Sequence, residues 1–243
     1  MVPLCRIFKQ SLLVVFLLTA LNSSAQKNDA GSWTVLSTKL NLSDKWNLFN
    51  ELQVRSQSFY SRFYYYEVKG GVSYAVSRNF SFLVGIGKYK TFSDGGNFEQ
   101  PVTASEFRLW QQLTMNHFLD RIKFEHRYRV EQRWFTTGYR NRFRYRLNAV
   151  VPVNSKRISR GVFYATAFNE IFLTNSAPYF ERNRVFAGAG YQFSDAFTLQ
   201  PGYVYQYDYR NGAGSGKHFF QLSMILELDA QNNKAEKVPG NID

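Results

Sequence analysis

Cysteine is almost missing from this chain: there is one, Cys5, in 243 residues. It lies too near the start, and in the wrong context, to be a lipid-attachment cysteine. Were the apolar N-terminal segment removed, no disulfide and no thiol chemistry would remain. Histidine is nearly as scarce, with three residues, His117, His126 and His218. The sequence holds no metal-ligand spacing and no glycine-rich loop of the kind that cradles phosphate. Long hydrophobic runs are also missing after residue 25, where apolar residues rarely run more than four together. A transmembrane helix needs about 20 apolar residues in a row, so no helical span is expected, and no convincing amphipathic helix is found. Proline is sparse at six residues. These absences set aside disulfide scaffolds, thiol enzymes, zinc modules and helical membrane proteins.

What is present begins with a leader. Arg6 and Lys9 form a short cationic start, Leu12 to Leu21 is apolar except for Thr19, and Ser23-Ser24-Ala25 supplies small residues before Gln26. That order is the pattern of a cleaved secretory signal over residues 1–25, and the apolar run is about half of what a membrane anchor needs. Without Arg6 and Lys9 the 30 basic residues become 28 against 18 acidic ones, a net of +10. So basic a chain could take nucleic acid or another anionic polymer. Export argues against nucleic acid, and the basic residues lie within alternating segments, not in a helix or a flexible arm.

Alternation runs through almost the whole remainder. Between Tyr139 and Val151, Arg140, Arg142, Arg144 and Arg146 hold one parity, while Tyr139, Phe143, Tyr145, Leu147, Ala149 and Val151 hold the other. Successive side chains of a strand point to opposite faces, so one face is a row of arginines and the other an apolar wall. Ile122 to Trp134 sets Lys123, Glu125, Arg127, Arg129, Glu131 and Arg133 against Ile122, Phe124, Tyr128, Val130 and Trp134. Similar segments are read at 33–42, 46–58, 64–76, 80–87, 105–116, 162–173, 183–193, 197–209 and 217–228, with a polar tail over 229–243. A soluble sandwich would put the apolar faces inward. A transmembrane barrel does the reverse, apolar to lipid and polar to the lumen.

Three features favour the barrel. The segments are about 10 to 13 residues long, enough to cross a bilayer at a tilt, where sandwich strands are usually near five or six. Short connections (43–44, 77–79, 119–120, 194–195, and by order 154–160, though it is longer) alternate with longer or glycine-rich ones (59–63, 90–103, 135–138, 175–180, 211–216), as in outer-membrane barrels. Trp46, Tyr64, Tyr66, Trp134, Tyr139, Tyr207 and Tyr209 fall near strand ends, where two interfacial aromatic girdles would lie. The expected fold is an all-β, antiparallel up-and-down transmembrane β-barrel over residues 26–228. Eleven strands are counted. Single-chain bacterial barrels have even numbers, so the expectation is ten to twelve, with twelve preferred.

An ordered series of short elements carries a resemblance. It comprises Trp33, the strand with Glu51 and Arg55, Ser105-Glu106-Phe107, the run Arg127 to Arg133, and Arg142-Phe143-Arg144-Tyr145-Arg146. Asn169-Glu170-Ile171-Phe172, Asn183-Arg184 and Gly188-Ala189-Gly190-Tyr191 complete it. The series resembles the bacterial outer-membrane barrel family known as domain of unknown function 2490, over essentially the whole mature chain. The resemblance implies a barrel in the outer membrane of a Gram-negative bacterium and supplies no mechanism.

Two readings of the chemistry stand beside each other. In the first, Arg127, Arg129, Arg133, Arg140, Arg142, Arg144, Arg146, Arg182 and Arg184 form an anion-attracting interior that binds or passes small anionic solutes. In its plain alternative those arginines only balance lumen carboxylates, namely Glu51, Glu67, Glu106, Glu125, Glu131 and Glu170, and the lumen is filled by its own side chains. In the second, a barrel-wall lipid hydrolase would use His126 with one of Ser105, Ser215 or Ser223, but no spacing makes them converge. One of Asn169 and Glu170 must point against its strand's parity; Glu170 paired with Arg182 or Arg184 is the simple account. No enzyme activity, cofactor or metal is expected. The expected partners are outer-membrane lipid, lipopolysaccharide and the barrel-assembly machinery.

Overall fold

The structure, a computed structural model, describes residues 30–93, 97–99, 101–210 and 212–230. The leader over 1–25 and most of the 229–243 tail lie outside these residues. The described chain is a meander of eleven strands: β1 (Gly31–Asn41), β2 (Trp46–Ser58), β3 (Ser61–Ser77), β4 (Phe80–Phe92), β5 (Val102–Leu119), β6 (Ile122–Phe135), β7 (Gly138–Pro152), β8 (Phe163–Thr174), β9 (Phe180–Gln192), β10 (Phe197–Arg210) and β11 (Ala213–Asp229). Each strand pairs antiparallel with the next, and the sheet closes on itself through β1 and β11.

The closing pair is parallel, running from Gly31 opposite Phe219 to Asn41 opposite Asp229. An odd meander forces this, because its first and last strands run the same way. The count of eleven therefore stands among the described residues, and the even number expected for a single-chain barrel does not. The same parity sends the two ends of the meander to opposite rims. The rim where β1 starts is here the N-terminal rim, and the rim where β11 ends is the C-terminal rim.

The expected division into short and long connections also changes. Strands run further than alternation alone indicates, because turns close as two-residue links where a longer loop was read: β3 begins at Ser61, β7 at Gly138 and β11 at Ala213. The longest links are now 93–101 at the N-terminal rim and 153–162 at the C-terminal rim. Loop length no longer distinguishes one rim from the other.

Faces follow the alternation. The outward parity is apolar and exposed, with Ile86 at 53% and Phe143 at 44%, whereas the inward Glu131 is at 0%. Outward aromatics gather toward both ends of the strands. Phe107, Trp134 and Tyr139 stack toward the N-terminal rim. Trp46 with Tyr74, and Phe163 with Tyr191 and Phe193, do so toward the C-terminal rim. Tyr64 leaves the expected girdle: a register shift at Arg55/Ser56 turns both Tyr64 and Tyr65 into the interior.

The interior is filled in two ways. On β5 to β8 it is charged. On the remaining wall it is largely aromatic, with Trp33, Val35, Tyr64, Tyr65, Tyr89, Phe186, Val204 and Phe219 packed together. Inward glycines make room for the rings. A Cβ on Gly85 would lie 2.3 Å from the Trp110 ring, and one on Gly190 would lie 2.1 Å from the Tyr164 ring. Interiors pack at crystal-like density, so ring and glycine must be matched across neighbouring strands.

Candidate functional site

The hairpin β6–β7 sets like charges face to face. Arg127 is opposite Arg146, Arg129 opposite Arg144, and Arg133 opposite Arg140; only Glu131 meets an opposite charge, Arg142. Like charges directly across paired strands are destabilising. The arrangement holds because carboxylates reach in from the same hairpin and from its neighbours. Glu131 accepts from Arg142 Nε at 2.7 Å and from Arg144 Nη1 at 2.6 Å. Glu170 of β8 accepts from Arg127 at 2.7 Å and from Arg144 at 2.8 Å. Glu125 accepts from Arg146 at 2.8 Å. Glu106 of β5 accepts from Arg133 Nε at 2.8 Å and bonds Arg108. Charge-assisted contacts of this kind are the strong class of hydrogen bond.

Every arginine and glutamate named from the sequence as a lumen residue faces the lumen, but the pairing differs from expectation for two of them. Glu51 and Glu67 were expected to offset the arginine hairpin from across the barrel. They instead pair with Lys69, at 2.6 and 2.9 Å, and Glu67 lies 3.5 Å from Arg55. Lys69 sits directly across from Glu51 in the β2–β3 register, so the local partner wins. Glu170 does take Arg184, at 3.4 Å, whereas Arg182 bonds Asp208 of β10. Asn169 is exposed outside and bonds Asn183, so Glu170 is the inward member of that pair.

Several members of the network were not singled out. Glu181 links Arg133 at 3.2 Å and Arg142 at 3.5 Å, with Arg140 at 4.0 Å. It lies beside a register shift at Phe172/Leu173, which lets the adjacent Glu181 and Arg182 both point inward and hides Glu181 from a period-two reading. Asp208, Arg55, Lys69 and Arg108 stood on the polar parity and were legible there. Gln112 accepts from Arg129 Nε at 2.9 Å.

Aromatic faces hold the arginines where carboxylates are few. Phe172 has the guanidinium carbons of Arg142, Arg144, Arg182 and Arg184 within 5.6 Å of its ring centre. Trp33 carries Arg55 at 3.6 Å and Arg184 at 4.7 Å, and its Nε1 donates to Gln53 at 2.8 Å. Cation–π contacts contribute about 0.5–2 kcal/mol each, more when dry.

The histidines lie outside the lumen. On the outer face, His126 Nδ1 is 2.9 Å from the Tyr145 hydroxyl, and its Nε2 is 3.2 Å from His117. His218 bonds Tyr203. Of the serines considered with them, Ser223 is buried in the lumen and accepts from Gln221 at 2.8 Å. Ser105 lies across from Lys90, and Ser215 across from Asp208. The structure does not bring a serine and a histidine of this set together.

Two properties of the lumen decide what it can do. First, it is filled. Each strand places an inward side chain that is at most 5% exposed, among them Val35, Glu51, Lys69, Tyr89, Trp110, Arg129, Arg146, Phe172, Phe186, Val204 and Phe219. A side chain bordering a water-filled channel could not be so hidden. Second, the charge is uneven. Apart from Lys39 and Glu227, which pair at the C-terminal mouth at 2.9 Å, the described ion pairs involve twelve cationic side chains no more than 13% exposed, against eight carboxylates.

Comparison with known proteins agrees with the family resemblance. The model of the family described as "Protein of unknown function (DUF2490)" matches residues 30–216. No curated protein and no solved structure matches the chain.

Proposed function

The chain belongs to the DUF2490 family of proteins of unknown function, and from that premise we propose that it is an outer-membrane β-barrel of a Gram-negative bacterium that does not conduct. The observation that carries the reading is the inverted distribution of polarity together with the filled lumen. An apolar exposed wall bounded by aromatics at both ends suits lipid. An inward side chain at most 5% exposed on every strand argues against a route for solute. Of the two accounts of the arginines, the geometry supports the one in which they brace and fill the barrel. Passage of anionic solutes is not favoured, and no catalysis is assigned. Its partners in this reading are outer-membrane lipid, lipopolysaccharide on the outer leaflet, and the assembly machinery that inserts barrels.

The test is planar-bilayer recording on the refolded chain. The expected result is a flat baseline while the same preparation shows the heat-modifiable gel mobility of a folded barrel. Stable current steps with anion preference, lost in the Arg142→Ala, Arg144→Ala double variant, would overturn the closed-lumen reading. Recovery of the native protein in a periplasmic rather than an outer-membrane fraction would overturn the membrane reading.

A further inference from the structure

The excess of buried cations is not spread evenly. In the β6–β7 hairpin, Arg142 and Arg144 touch Glu131 at 2.5–2.6 Å. Arg55 and Arg184, on the opposite wall, stand farther from their carboxylates, at 3.5 and 3.4 Å. Their shorter hydrogen bonds go to neutral amides: Arg55 donates to Gln53 and Arg184 to Gln206, each at 3.0 Å, while Arg184 also donates to Glu170 at 3.4 Å. In both residues the Nε–H is buried and has no acceptor. Arg108, Arg127 and Arg146 also have a buried Nε–H without an acceptor, but each bonds a glutamate directly through another nitrogen, and Arg140, which shares the feature, is 39% exposed.

These two arginines share one ring. Both guanidinium groups lie over Trp33, at 3.6 and 4.7 Å from its centre. Arg182 is near, since its guanidinium group and that of Arg184 both lie over Phe172, at 5.6 and 4.9 Å from the ring centre. Two or three guanidinium groups this close, with Asp208 engaged by Arg182, repel one another strongly in a poorly hydrated interior. Buried N–H groups without acceptors add a cost of their own.

The place is graded in depth. Arg182 is 13% and Asp208 9% exposed at their side chains, Arg55 8% and Arg184 6%, against 0–1% for Arg127 and Glu131 deeper in the barrel. Lys217, beside the N-terminal rim, points its ammonium at the Tyr64 ring from 5.6 Å. The closed barrel thus has a shallow basic mouth on its β2–β3, β9–β11 side.

We propose that this mouth seats a small soluble oxyanion, of the phosphate or carboxylate class, between Arg55, Arg182 and Arg184. The planar fork of a guanidinium matches such an oxyanion better than a spherical halide. Because the three residues face the lumen, the ligand is a free solute and not the headgroup of a surrounding lipid. The proposal rests on the closed-lumen reading for its depth, since an open lumen would make the mouth an entrance instead of a seat.

The experiment uses the mature chain refolded in detergent micelles and inorganic phosphate as the probe, titrated by calorimetry at constant ionic strength. Saturable binding near one phosphate per barrel is expected. Arg184→Gln is expected to weaken it about tenfold or more, the effect of losing one charge-assisted contact of 1.4 kcal/mol. Lys156→Gln, at the other rim, should leave it unchanged. Should Arg184→Gln fail to refold, Arg55→Lys decides, since it keeps the charge and loses the fork; binding weakened several-fold is expected. No saturable heat, or equal weakening by Lys156→Gln, overturns the site. Bilayer recording reports separately on the closed lumen, so the failure of one claim is not mistaken for failure of the other.

Discussion

The two walls of the barrel fill the same space by opposite means. On β5 to β8 the interior consists of arginines held apart by Glu106, Glu125, Glu131 and Glu170. On β9 to β11 and β1 a cluster of apolar side chains fills it, the rings of Phe186, Phe219 and Trp33 with Val204, and glycines such as Gly188 and Gly202 lie beneath them. The charged wall depends on every cation finding a partner, because the desolvation of a buried charge is large and only close pairing offsets it. The apolar cluster of the ring wall depends on shape, and an error there costs packing rather than an uncompensated charge. The charged wall is therefore the more fragile to single substitutions, although it contains the greater number of strong contacts.

The largest expected effect comes from removing the carboxylate at the centre of the charged wall. Glu131→Gln leaves Arg142 and Arg144 without their shortest contacts and should destabilise the refolded barrel by about 3–5 kcal/mol in urea unfolding. Adding Arg144→Gln to it should recover part of the loss; full additivity of the two changes would show that the pair is not coupled.

On the ring wall the corresponding change is Gly202→Ala, whose Cβ would meet the Phe186 ring at 2.3 Å. The expected cost is about 1–3 kcal/mol from overpacking, and Phe186→Leu in the same chain should relieve it. A cost for Gly202→Ala that persisted unchanged beside Phe186→Leu would break the idea that ring and glycine are matched. The smallest effect is expected where the two walls meet. Phe172→Leu keeps an apolar side chain, somewhat smaller, but removes the face shared by four arginines, and should cost about 1–2 kcal/mol. A neutral result would mean that carboxylates alone hold those arginines.

Much of this was legible in the residues. Period-two alternation in Ile122 to Val151 placed Arg127, Arg129, Arg133, Arg142, Arg144 and Arg146 on one face, and that face is the lumen. What alternation could not show was partner choice. Glu51 was assigned to distant arginines, whereas Lys69 lies directly across from it on β3. Register depends on where each turn closes, and a turn that closes one residue earlier changes every cross-strand partner. Glu181 and Tyr64 were missed or misplaced for a related reason: each lies beside a register shift, where the period of two is interrupted. The division of loops into short and long failed because glycine-containing segments such as 211–216 were read as loops, although β11 begins at Ala213.

By itself the sequence determined that this chain is a set of strands with a polar and an apolar face, because side-chain alternation is a local property of extended backbone. It also determined the excess of positive charge on the polar faces. Only the tertiary structure decided that eleven strands close through a parallel seam, which carboxylate meets which arginine, and that inward side chains on every strand fill the lumen. Those outcomes depend on closure and register, which join residues far apart in the chain and have no local signature.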